Sequence, residues 1–328
     1  MRSRDPRALI DAAAAGDRAA VARLLSLVER GGEAARYVGR LAYPLGGRAY
    51  SIGITGAPGS GKSTLTNGLV EVVRKSGCEV AVLAIDPSSP FTGGAILGDR
   101  VRMQDHALDP GVYIRSMATR GHLGGLALAT PQAIRVLDAA GLPLVFVETV
   151  GVGQVEVEVA GAADTVVVVV NPGWGDAVQA NKAGLLEVAD IFVINKADRP
   201  GAQQARQDLQ QALDYATRDR HRPPIIETVA VSGDGLAEMW QAITDHRGLL
   251  ESTGELAQRR AQRIDEELRQ IVARRLEQRA DELCRGDGFA GLRRAVLDRE
   301  IDPYSAADDI LRRSGGIAGA EEEDLADG

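Results

Sequence analysis

Eight residues constrain this chain more than any others. Gly56-Ala57-Pro58-Gly59-Ser60-Gly61-Lys62-Ser63 satisfies the pattern GxxxxGK[ST], and Thr64 follows. The strand-like run SIGIT leads in, and a helical pattern beginning near Lys62 leads out. Glycines at these places let backbone N–H groups turn toward phosphate oxygens without Cβ clashes, and the helix N-terminus adds its dipole. Lys62 can place a point charge near β- and γ-phosphates, and the Ser63 hydroxyl can ligate Mg²⁺. A glycine-rich turn that merely mimics this loop is the alternative. The strand and the helix, both in register, argue against it.

Such a loop demands an α/β architecture, and the rest of the sequence agrees. Short β-branched runs alternate with helical patterns at Tyr50–Thr55, Glu79–Ile85, Val112–Ser116, Leu144–Val147, Thr165–Val170, Ile191–Ile194 and Ile225–Val231. Several are apolar on both faces, as buried parallel strands must be. The expected fold is a P-loop domain over 46–248, with a mostly parallel central sheet flanked by helices. An N-terminal helical extension is expected over 1–45, where Leu9, Ile10, Val21, Leu24, Leu25 and Val28 recur at helical spacing. That pattern is interrupted by Gly16 and closed by Gly31-Gly32. A charged helical arm is expected over 249–313, where Leu256, Ile264, Leu268, Ile271, Val272, Leu276 and Leu283 form a stripe. The stripe packs either on its own domain or on a second subunit; it is too irregular for a clean coiled coil. Residues 314–328, rich in Asp and Glu, read as a solvated tail.

Composition excludes several classes. A net charge of −8 and only 4% aromatic residues argue against nucleic-acid binding. The most apolar run, Thr165 to Val170, is far too short to span a bilayer, so no membrane partner is expected. Two isolated cysteines, Cys78 and Cys284, offer no disulfide framework or metal knuckle, and a cytoplasmic location is expected.

Asn195-Lys196-Ala197-Asp198 follows the apolar run IFVI and matches an NKxD element. A carboxylate at Asp198 can accept from guanine N1–H and its exocyclic amine together. Adenine offers neither donor there, so GTP is expected over ATP. Asn195 can orient the loop, and the Lys196 stem can cover the ring face. Val231-Ser232-Gly233, after another apolar run, can supply a backbone amide to guanine O6. A polar strand-to-helix turn is the other reading of NKAD, weakened by its place after a P-loop.

Two acids end apolar runs: Asp86 after AVLAI and Glu148 after LVFV, the latter followed by Thr149-Val150-Gly151. Either carboxylate can reach Mg²⁺ or its waters, with helix capping as the alternative role. The Gly151 amide can swing to the γ-phosphate. Asp99 lies in a Gly-rich stretch suited to a switch loop. Val152 stands where a Ras-like protein has its water-positioning Gln, and Gln154 is no obvious substitute. Slow intrinsic hydrolysis, completed by a partner or a loop rearrangement, is therefore expected.

The ordered set GAPGSGKST, AIDPSSPFTGGAILGDRVRM, ETVGVGQVE, NPGWGDAVQANKAG and NKAD closely resembles the MeaB/ArgK-type G-protein chaperones, over roughly residues 5 to 312. The resemblance implies a SIMIBI-class P-loop core, a C-terminal dimerisation arm making a homodimer, and GTP/GDP with Mg²⁺ as ligands. It implies as partner an adenosylcobalamin-dependent methylmalonyl-CoA mutase, whose cofactor loading, protection and reactivation the family gates. It places Asp86, Asp99 and Glu148 in the metal and switch machinery, and Asp176, Gln179 and Lys182 in a further switch coupling nucleotide state to the mutase. Three rival readings stand beside it. A nickel metallochaperone GTPase would need a metal site that His106, His122, His221 and His246, scattered as they are, do not advertise. A kinase of transport binding proteins would use ATP, against which Asp198 speaks. A nucleotide-gated scaffold without meaningful hydrolysis is the third; Lys62, Ser63 and the strand-end acids argue against it.

Overall fold

All seven β-branched runs become strands of one sheet: β1 (Tyr50–Gly56), β2 (Val80–Asp86), β3 (Val112–Ala118), β4 (Leu144–Thr149), β5 (Thr165–Val170), β6 (Ile191–Asn195) and β7 (Ile225–Thr228). The computed structural model describes residues 5–86, 106, 108–118, 125–149, 161–173, 182–216, 222–285 and 287–313. Strand order is β3-β2-β4-β1-β5-β6-β7, with every pairing between these strands parallel. Successive connections run to one side of β1 and then, from β5, to the other. The strand order thus reverses at β1, and the crevice beyond the C-terminal ends of β4, β1 and β5 is where such a sheet binds ligands.

The strands are apolar throughout because helices cover both faces. On one face lie α4 (Lys62–Lys75) and α8 (Leu236–Thr253), whose Leu65, Leu69, Val73, Met239 and Ile243 pack on Ile52, Ile54, Phe146, Val167 and Val193. A Cβ on Gly68 would lie 2.4 Å from Leu236 Cδ1, so the glycine is what lets these two helices meet. On the other face lie α5 (Gly125–Ala139) and α7 (Ala202–Ala216), the latter burying Leu209 and Leu213 against Phe192 and Ile194.

The N-terminal extension is three helices: α1 (Pro6–Ala14), α2 (Arg18–Arg30) and α3 (Gly32–Ala42). Asp17 caps α2, accepting from the Ala19 and Ala20 amides at 2.8 and 3.2 Å. Gly31-Gly32 closes α2, and the extension continues beyond it. Both glycines take positive φ (71° and 73°) and turn the chain into α3, which buries Ala35, Val38 and Ala42. β7 stops short of the expected Val231: the chain turns after Thr228, and Val231 is 86% exposed. The extension packs with α5 in one core, and Arg115 on edge strand β3 donates to Ser26 Oγ (2.9 Å) and Glu29 (3.0 Å) on α2.

The chain divides into two units, residues 1–263 and 264–328, and the dividing point falls inside α9 (Glu255–Leu283). The second unit holds the remainder of α9, then α10 (Asp287–Leu297) and α11 (Pro303–Arg313). Leu268, Val272 and Leu276 along α9 are each more than half exposed. Asp302 caps α11 through the Tyr304 and Ser305 amides. No helix among the described residues is long and apolar enough to cross a membrane.

Within the first unit, the opening turns of α9 are fastened to the N-terminal edge of the sheet. Asp164, 2% exposed, accepts from Arg260 at 2.7 Å, from Arg263, and from the Ser51 amide at 3.0 Å. Arg260 also donates to Gly47 O (3.0 Å) and Ala49 O (2.8 Å), while Asp138 accepts from the amides of Gly47, Arg48 and Ala49. The linker from the extension into β1 is therefore held from both sides. Beside it, Asp190 pairs with Arg259 (2.8 Å) and His246 (3.4 Å) and accepts from the Val166 amide (2.8 Å).

Burial alone would raise the Asp164 and Asp190 carboxyls. The Arg260 and Arg263 contacts of Asp164, and the His246 and Arg259 contacts of Asp190, outweigh it and hold both below the usual carboxylate range. Groups with depressed folded-state pKa values stabilise the fold above their unfolded pKa and lose that contribution as pH falls through the folded value. Thermal stability contributed by this pair is thus expected to hold from about pH 7 to about pH 5 and to fall below about pH 4. Melting curves of the wild type and Asp164→Asn across that range check it: the variant's acid-limb slope should be shallower.

Candidate functional site

Of the predicted site residues, the P-loop, Glu148 and Asn195-Lys196 come together at the C-terminal ends of β1, β4 and β6. β1 ends at Gly56, whose φ of 135° and whose position, with an added Cβ 2.0 Å from Val169 O, admit no side chain. The loop that follows enters α4 at Lys62. Lys62 is nearly buried, and its Nζ donates to Gly56 O at 2.5 Å and Ala57 O at 3.0 Å, so the ammonium sits over the loop. Gly59 (φ 73°) and Gly61 (φ 93°) are left-handed, which curls the chain around the helix N-terminus. Ala57, Pro58 and Ser60 complete the curl, and Thr64 lies in the helix's first turn. The Ser60 side chain is wholly buried, and its hydroxyl has no partner among the described residues.

Ser63 and Glu148 meet directly. The Ser63 hydroxyl donates to Glu148 Oε1 at 2.5 Å, joining α4 to the end of β4 across 85 residues of sequence. Glu148 is 2% exposed and pairs in register with Ile54 on β1 and Ala84 on β2. Asp86 and Lys182 are placed by their backbone, as the last residue of β2 and the first of α6 (Lys182–Val188). A hydroxyl and a carboxylate in contact at the mouth of a phosphate-type loop form a hard-oxygen set that fits Mg²⁺.

The NKAD element reaches the same place from β6. Asn195 is buried; its Nδ2 donates to Ser60 O at 2.8 Å, and its Oδ1 accepts from Thr228 Oγ1 (3.2 Å) and the Ala230 amide (3.1 Å). One side chain thereby ties the P-loop to the segment after β7. A Cβ on Gly61 would stand 2.3 Å from Asn195 Nδ2, which is the steric reason for glycine there. Lys196 holds a left-handed φ of 60°, unusual outside glycine, and its Nζ donates to Gly59 O at 2.6 Å. Asp198 lies exposed in the turn beyond. In the third element, the Ser232 and Gly233 amides both donate to Val229 O at 3.0 Å, which leaves the Val231 amide as the candidate donor.

Asp99, Gly151, Asp176 and Gln179 lie outside the described residues, as do Val152 and Gln154. Among the described residues no cluster of His, Cys, Asp and Glu could hold a metal ion by itself. His246 is instead engaged with Thr165 Oγ1 (2.8 Å) and Asp190, and His106 with Asn67 O (3.3 Å).

The family model described as methylmalonyl Co-A mutase-associated GTPase MeaB matches residues 21–284. The chain belongs to the MeaB family of GTPases. A putative GTPase of Pyrococcus abyssi is 53% identical over 316 residues, covering 94% of this chain and 98% of that one. GTPase ArgK of Escherichia coli is 39% identical over 263 residues, covering 77% of this chain and 80% of its own. Among solved structures, a LAO/AO transport system kinase superposes with a TM-score of 0.71 at 28% identity, covering 96% of this chain and all of that one. The chain thus has the family's P-loop fold and its GTPase activity, with the matched region running from α2 to just past the end of α9.

Sequence reading missed Asn195's span from the P-loop to Thr228 and the whole Asp164–Arg260 network. Both consist of contacts between residues far apart in sequence, and nothing local marks them.

Proposed function

We propose that this MeaB-family GTPase binds GTP with Mg²⁺ and uses its hydrolysis to gate adenosylcobalamin loading, protection and reactivation of an adenosylcobalamin-dependent methylmalonyl-CoA mutase. The 2.5 Å contact of Ser63 with Glu148 is the observation that carries the nucleotide half of this reading. It brings a P-loop hydroxyl and a strand-end carboxylate together where the metal of a P-loop enzyme is held. Membership of a family of methylmalonyl Co-A mutase-associated GTPases supports the mutase half.

In this reading Ser63 and Glu148, with Asp86 and Asp99, hold Mg²⁺, which when bound neutralises charge on the phosphates. The loop amides from Gly56 to Thr64 cradle the phosphates, and Lys62 moves its ammonium from the carbonyls of Gly56 and Ala57 to phosphate oxygens. Asn195 holds the base-side loop against the P-loop, Lys196 covers the purine, Asp198 accepts from guanine, and the Val231–Gly233 turn donates to it. The Gly151 amide meets the γ-phosphate. Asp176, Gln179 and Lys182 relay nucleotide state to the mutase, and turnover stays slow until the mutase is bound. The exposed stripe on α9 is the surface through which two copies form a homodimer.

Transfer of adenosylcobalamin into apo-mutase, followed by the cofactor's absorbance, tests the chaperone role. The transfer rate is expected to differ between GTP-loaded and GDP-loaded protein, and Lys182→Ala is expected to erase that difference while GTP binding persists. Equal rates with either nucleotide in the wild type would end the proposal.

A further inference from the structure

Seven strands place one residue each in a row across the sheet, just below the nucleotide site. In order the row is Met117, Ile85, Thr149, Thr55, Val168, Phe192 and Ile225. Five of these are apolar, and they pack into the cores on that face of the sheet. The third and fourth are threonines, each 1% exposed, and Thr149 Oγ1 donates to Thr55 Oγ1 at 3.1 Å. Valine would fill the same volumes. Replacing two paired buried hydroxyls by methyls of the same shape is nearly neutral for stability. The pair is therefore a poor device for stability in a row that is otherwise aliphatic and aromatic.

Its position suggests another use. Thr55 directly precedes Gly56, the first P-loop residue, and Thr149 directly follows Glu148. Because side chains alternate across a strand, Ile54 and Glu148 point to the α4 face while Thr55 and Thr149 point away from it. A directional bond between the two threonines fixes the relative height of the strand ends, and so the separation of the Glu148 carboxylate from Ser63 at the other end of the P-loop. Two valines in contact would allow small sliding that a hydrogen bond opposes.

We propose that Thr55 and Thr149 are positioning residues for the metal site, setting the Glu148 carboxylate against Ser63 through their buried hydroxyl pair. This rests on the reading of Ser63 and Glu148 as Mg²⁺-holding groups.

The experiment is a Mg²⁺ titration of GTP hydrolysis, with melting temperatures measured alongside, for wild type, Thr149→Val, Thr55→Val, the double Val variant, Thr149→Ser and Glu148→Gln. Thr149→Val is expected to raise the half-saturating Mg²⁺ concentration about tenfold, the lower end of what partners of metal-holding groups contribute, with little change in melting temperature. Thr149→Ser, which keeps the hydroxyl, is expected to recover most of the Mg²⁺ response. The double variant is expected to be no worse than Thr149→Val, since one bond is lost either way. Val and Ser variants that behave alike, a Mg²⁺ requirement that rises only in step with a falling melting temperature, or additive single effects would each overturn the proposal. If Glu148→Gln leaves the Mg²⁺ requirement unchanged, the metal-site reading itself fails, and this inference fails with it. A shift in Glu148→Gln without one in Thr149→Val rejects the threonine pair alone.

Discussion

Asp198→Asn is expected to lower GTP affinity by about two to four orders of magnitude, the value of two hydrogen bonds to a charged acceptor at roughly 1.5–3 kcal/mol each. The loss should leave the fold intact, because Asp198 is exposed in the turn after β6 while the structural bonds of this region run through Asn195. Chemistry sharpens the test. Asn offers an N–H where Asp offers only acceptors, and xanthine carries a carbonyl where guanine carries its amine. Xanthosine triphosphate should therefore bind the variant better than the wild type, while ATP gains nothing. Titration with fluorescent nucleotides reads all three. Unchanged GTP affinity would remove Asp198 from the base contact.

The second large effect is on stability. Asp164→Ala is expected to cost about 3–5 kcal/mol, because it strands Arg260 and Arg263 beside a buried hole and removes the acceptor of the Ser51 amide. The damage should spread along the chain. Arg260 also grips Gly47 and Ala49, so amide exchange is expected to speed up in the 46–49 linker as well as in the opening turns of α9. Denaturant unfolding measures the cost, and hydrogen exchange measures its reach. Exchange confined to the immediate neighbours of residue 164 would show that Arg260 does not bind these elements into one cooperative unit.

Local patterns in the sequence reveal most of the fold, and long-range ones very little. Seven β-branched runs became seven strands because a sheet covered on both faces leaves an apolar signal strong enough to read one strand at a time. The P-loop was legible because its glycines, Lys62 and Ser63 are contiguous and their chemistry is local. The apolar Ile225–Val231 run overstated β7, since Val231 is apolar yet exposed in a turn shaped by the Ser232 and Gly233 amides. Ser63 with Glu148 could be guessed from order along the chain, but not their direct contact. The Thr55–Thr149 pair and the Asp164 network could not be read at all, because each is a contact between residues about a hundred positions apart that no local pattern announces.

The proposed function stands on a GTP-specific, Mg²⁺-dependent site whose turnover answers to a mutase. Its most direct test is the hydrolysis rate of GTP and of ATP by the purified protein with Mg²⁺, each measured with and without an adenosylcobalamin-dependent methylmalonyl-CoA mutase from the same source. Slow turnover of GTP alone is expected, with a clear acceleration when the mutase is added. Preferential use of ATP would contradict the guanine assignment, and GTP turnover indifferent to the mutase would contradict the partner.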